Sequence, residues 1–151
     1  MPSVRVYQKK QLRLDLLNFQ QRQMYELGSV GVAAVKARLA AAHGPTDAPA
    51  KPLTKRYAIF KTRKGKGNLR NLTFTGDLLR NFTVRTVSEN RAKANVSTRQ
   101  NQLKARINQK REPWMVFSPK DRATVVEAAR NMLDAMKARL LVEGTLGGKQ
   151  R

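Results

Sequence analysis

Apolar residues recur at helical spacing near both ends of the chain and alternate in its middle. From about Leu12 to Ala42, the positions Leu12, Leu16, Phe19, Gln23 and Leu27 step by three and four, and Val35 and Leu39 continue the stripe. Gly28 and Gly31 lie inside it and each weakens a helix by up to about 1 kcal/mol relative to alanine, so a bend or two helices is expected there. His43, Gly44 and Pro45 end the segment. In the middle, Phe82, Val84 and Thr86 alternate with Thr83, Arg85 and Val87, and Ala92, Ala94 and Val96 alternate with Lys93, Asn95 and Ser97. With Ser88-Glu89-Asn90 as a polar turn, this predicts an antiparallel hairpin. Towards the C-terminus, Val125, Ala129, Met132, Met136 and Leu140 form one helical face expected to supply much of the core. Ser118 is placed to cap that helix, Pro119 suits its first position, and Asp121 stands where a capping-box acid belongs. Gly144 is expected to stop it, leaving a flexible tail at 144–151.

The remaining segments connect these elements. Residues 43–56, with Gly44, Pro45, Pro49 and Pro52, read as loop, and 44–70 as an extended arm carrying the isolated apolar run Tyr57-Ala58-Ile59-Phe60. That arm is expected to be disordered in a free subunit and ordered on assembly. Leu78 and Leu79 suggest one helical turn before the first strand. Residues 99–111 form a polar connector, partly helical through Leu103 and Ile107, and Trp114–Phe117 is an apolar strand or wedge. The reading is a single α+β domain over 1–151: long N-terminal helix, extended arm, small antiparallel sheet and C-terminal amphipathic helix.

Charge changes this picture from a plain small domain to one built for a partner. Thirty-one Lys and Arg against ten Asp and Glu give a net +21 in 151 residues. Eight of these basic residues lie between Lys51 and Arg70 and seven between Arg91 and Arg111, and neither stretch contains an acid. Solvated faces usually mix both signs, so unmixed basic segments favour a polyanionic partner, either a nucleic-acid backbone or an acidic protein surface.

Candidate chemistry subtracts rather than adds. Cysteine is absent and His43 is the single histidine, so neither a thiol nucleophile nor a zinc set of Cys and His is expected, and no carboxylate cluster suggests magnesium. Lys64-Gly65-Lys66-Gly67 lacks the Gly-Lys-Ser/Thr ending of a phosphate loop and reads as a basic turn. Neither a secretory leader nor a membrane-spanning run is expected. The expectation is a protein that is not an enzyme and carries no cofactor.

The segment from Lys51 to Val87 resembles the middle of tailed-phage virion-morphogenesis proteins, the neck or tail-completion group. That group has a proline-rich approach, a Tyr-x-x-x-Lys segment with a basic glycine turn, then Leu-Thr-x-Thr-Gly before a strand. Tyr57, Lys61, Gly65, Leu72, Thr73, Thr75, Gly76 and Leu78 stand at those places. Arg111, Pro113, Trp114, Ser118 and Asp121 likewise resemble its Arg-x-Pro-aromatic and Ser-x-x-Asp segment. The likeness spans roughly 50–135, and the connector 99–111 departs from it by being more basic and lacking a His-x-x-Gly. It implies a structural subunit of a homo-oligomeric ring in the virion, joining head connector to tail around the DNA channel. It carries no catalytic residues with it.

Two function classes therefore stand side by side: a ring subunit, and a sequence-independent nucleic-acid-binding protein of ribosomal or nucleoid type. For the first, Arg99, Lys104, Arg106, Lys110 and Arg111 are the candidates to face the lumen or double-stranded DNA. Tyr57, Ile59, Phe60, Lys61, Arg63, Lys64, Lys66 and Trp114 are the candidates to meet a neighbouring subunit, because an interface uses aromatic and apolar side chains that a phosphate lining does not need.

Overall fold

The computed structural model describes residues 20–72, 75–88 and 91–146. Within them α1 (Gln21–Ala40), α2 (Lys55–Arg63) and α3 (Asp77–Arg80) precede a hairpin of β1 (Phe82–Ser88) and β2 (Arg91–Val96), and α4 (Arg99–Arg111) and α5 (Pro119–Leu146) follow. The architecture is α+β. The expected helix positions Leu12, Leu16 and Phe19, and the turn residues Glu89 and Asn90, lie outside the described residues.

One face of α1 is the floor of the core. Val32, Val35 and Leu39 pack with Leu78, Phe82, Val96, Ala105 and Trp114. The hairpin lies on this face with Phe82 opposite Val96 and Val84 opposite Ala94, so one side of the pleat turns inward and Thr83, Arg85, Lys93 and Asn95 point out. A register irregularity between Thr86 and Ser88 accommodates an extra residue on β1.

Of the two alternatives expected at Gly28 and Gly31, a division into two helices is not found: α1 is one helix through both positions. They are notches. A Cβ on Gly28 would stand 2.8 Å from Val84 Cγ1 and 2.9 Å from Ala92 Cβ, and one on Gly31 would stand 2.9 Å from the Phe117 ring. The missing side chains let the hairpin and the 114–118 segment close on the helix backbone.

α5 runs antiparallel to α1, with Val125 beside Gly31 and the Gln23 amide 3.1 Å from the Met136 sulfur. Its start follows the cap grammar: the Asp121 N–H donates to Ser118 Oγ at 3.1 Å, and the Ser118 N–H donates to Asp121 Oδ2 at 3.0 Å. The expected stop at Gly144 does not occur, since the helix continues to Leu146. The face Val125–Ala129–Met132–Met136–Leu140 is half-buried and forms the contact with α1 rather than the centre of the core.

The expected extended arm at 44–70 is mostly folded. Residues 43–50 make a tight loop, with a bridge between His43 and Pro49 and bonds from Gly44 N–H to Ala48 O and Ala50 N–H to Ala42 O, both 2.7 Å. The apolar run 57–60 lies within α2. The connector 99–111 is helical throughout as α4, opened by Thr98, whose hydroxyl accepts from the Asn101 N–H.

Candidate functional site

Both acid-free basic segments border one groove. Arg38 in α1 organises the frame behind it. Its Nε donates to Asp121 Oδ2 at 2.8 Å and its Nη2 to the carbonyls of Val116 (2.8 Å) and Trp114 (3.1 Å). One buried guanidinium thereby ties α1, the 114–118 segment and the cap of α5 together, in the fork geometry that arginine offers. Asp47 adds the 43–50 loop to the same knot. Its carboxylate accepts from the Ser118 hydroxyl, which holds the carboxyl below its ordinary range, helped by the Lys120 N–H and the charges of Lys120 and Arg38.

Glu112, in the turn after α4, anchors both ends of the arm. Its Oε1 accepts from the Lys51 N–H at 3.5 Å and its Oε2 pairs with Arg70 Nη1 at 3.2 Å. A Cβ on Gly44 would meet the same Oε1 at 2.9 Å, so the loop passes as closely as a glycine permits. Between these anchors, Lys61 of α2 reaches back to Leu69 O (2.5 Å) and Asn71 Oδ1 (2.7 Å). Burial pushes its amino group towards the neutral form. The arm is thus a closed excursion that carries α2 out and returns to the core.

The groove lies between α2 on one wall and α4 on the other, with a volume of about 820 Å³. Leu53, Leu72, Leu78 and Ile107 give it an apolar lining, Tyr57 stands on the α2 side, and Lys61, Arg70, Lys104 and Arg111 are its cations. The α4 basic residues divide by helical phase. Lys104 and Arg111, seven residues apart, face the groove. Arg99, Arg106 and Lys110 fall with Leu103 on a stripe opposite the buried Asn101 and Ala105. All five basic residues are exposed. On the hairpin's outer face Arg85 stands directly opposite Lys93, a like-charge pairing that costs stability.

Two of the expected interface residues are placed elsewhere. Trp114 is only 3% exposed, stacks edge-on against Phe82 with ring centroids 5.3 Å apart, and donates from Nε1 to Ala105 O at 3.3 Å. Its backbone N–H, with that of Met115, is held by the Gln109 side chain. It is a core wedge. Lys61, 2% exposed, is a clamp inside the arm. Tyr57, Ile59, Phe60, Arg63, Lys64 and Lys66 are exposed on α2 and the turn after it, with Gly65 and Gly67 at positive φ. Arg38 and Glu112 were not singled out from the sequence. The available signal for Arg38 was a basic residue inside an apolar helical stripe, which requires an acid to meet it.

Among the described residues no cluster of His, Asp and Glu is arranged to hold a metal ion, and no helix is long and apolar enough to cross a membrane. No family model, curated protein or solved structure matches the chain.

Proposed function

We propose that this chain is a structural subunit of a phage neck or tail-completion ring, assembled in the host cytoplasm and joining the head connector to the tail around the DNA channel. The observation that carries the reading is the gathering of two acid-free basic segments, with exposed Tyr57, Ile59 and Phe60 on α2, around one side of a small and rigidly tied core. A monomeric globule has no use for so much unneutralised charge beside exposed aromatic residues, whereas an assembly subunit has a use for both. The motif likeness supports the same reading. The glycine of the Leu-Thr-x-Thr-Gly segment is Gly76, at φ +74°, a backbone conformation that favours glycine where the chain enters α3.

In this reading the chain forms a homo-oligomeric ring, contacts connector and tail proteins, and has no catalytic role. α2 and the turn after it meet a neighbouring protein, and the outward stripe Arg99–Arg106–Lys110 faces the lumen or its rim. The test is to replace the exposed α2 set and the α4 stripe separately with serine and to score head–tail joining and DNA retention. Loss of joining from the α2 set supports the assignment, and loss from the stripe alone with the α2 set silent overturns it.

A second reading, a sequence-indifferent nucleic-acid-binding protein, is favoured by the α4 stripe and by the facing Arg85 and Lys93. It predicts that serine at the stripe abolishes duplex binding while no assembly defect accompanies the α2 replacements.

A further inference from the structure

The groove between α2 and α4 has a composition that selects its occupant. Its lining combines apolar Leu53, Leu72, Leu78 and Ile107 with basic side chains, and among the described residues no carboxylate lines it. Two of its cations are already engaged: Arg70 by Glu112, and Lys61 by Leu69 O and Asn71 Oδ1. Lys104 and Arg111 remain exposed on one wall with Ile107 between them. Seven residues on a helix place these two charges about 10 Å apart along its axis.

We infer that this groove seats an acidic amphipathic segment of a different protein, with an apolar side chain entering between two carboxylates that meet Lys104 and Arg111. A helix carrying acids seven residues apart, with apolar residues midway, repeats that spacing and matches the helix-in-groove mode of recognition. A nucleic-acid backbone fits less well, because phosphates gain nothing from the leucines and the isoleucine. A second copy of the chain fits less well too. Of the seven carboxylates among the described side chains, Glu26, Asp47, Asp77, Glu112, Asp121 and Asp134 are engaged within their own molecule and Glu127 is the exception, whereas the seat asks for a pair, and a net +21 repels copies of the chain. The inference rests on the reading of the chain as an assembly subunit and gives that subunit's protein contact a definite seat and chemistry.

The experiment uses the full purified chain and fluorescence anisotropy with three probes: an amphipathic helical peptide with two glutamates seven residues apart and leucines midway, its Glu→Gln counterpart, and a duplex oligonucleotide. Saturable binding of the glutamate peptide is expected. It should weaken by roughly tenfold or more in Lys104→Glu/Arg111→Glu, as for loss and reversal of paired interface charges. It should also weaken in Ile107→Asp and for the Glu→Gln peptide, and persist in Arg99→Ser/Arg106→Ser/Lys110→Ser. Because the altered side chains are exposed, unchanged melting of the variants identifies the loss as one of binding. Absence of peptide binding overturns the inference, as does equal weakening by the groove and stripe variants. A groove variant that loses the duplex and keeps the peptide also overturns it. None of these outcomes depends on head–tail joining, so the groove assignment and the assembly reading fail separately.

Discussion

Ser118 has no exposed surface, and its hydroxyl has two roles, accepting from the Asp121 N–H and lowering the pKa of the Asp47 carboxyl. Ser118→Ala should therefore cost about 1–2 kcal/mol, the upper end for a lost helix cap, measured by urea unfolding; a cost near zero would contradict the double role. Asp47 supplies a pH signature. Its folded-state pKa is depressed, so the stability it contributes is complete above the ordinary carboxylate range and is lost as pH falls through that range towards the lower folded value. Asp47→Asn should flatten the fall in melting temperature between neutral pH and about pH 3, and an unchanged slope would show that the bond to Ser118 does not form in solution. The cap was legible in the sequence because its grammar spans four residues. Trp114 and Lys61 were not, because neither a lone tryptophan nor a lysine in a basic run announces burial. Here burial depends on Phe82 and Ala105 for one and on Leu69 and Asn71 for the other, all distant choices of the fold.

At the scale of elements, helix propensity and packing make opposite claims on Gly28. Propensity favours alanine by about 1 kcal/mol, whereas the hairpin side chains already occupy the space of a Cβ. Overpacking of this kind costs about 1–3 kcal/mol, so Gly28→Ala should destabilise the protein on balance; a raised melting temperature would show that β1 and β2 do not close on α1. The hairpin, α3 and the start of α5 were readable because alternation, a single apolar turn and a cap are local patterns. The folding of the arm was not. Its prolines and basic residues read as an extended excursion, and what draws it back is Glu112, distant in sequence and outside both basic stretches. The α5 face was read at its true spacing but assigned too deep a position, because it packs chiefly on α1 and a 28-residue helix is longer than the 20-residue α1.

For the whole molecule, the division of the basic residues into groove and stripe is the feature with functional consequence. Sequence counting placed Arg99, Lys104, Arg106, Lys110 and Arg111 in one set, and helical phase separates them. If the stripe meets phosphates, any affinity for duplex DNA should be independent of base sequence. The logarithmic salt slope should fall by about 0.9 for each contact removed at Arg99, Arg106 or Lys110, and a slope unmoved by these replacements would contradict a phosphate-facing stripe. The central claim, that the chain joins head to tail, is tested most directly by electron microscopy of particles assembled without it. DNA-filled heads and separate tails, restored to joined particles when the chain is supplied, are the predicted result. Normally joined particles in its absence would contradict the account.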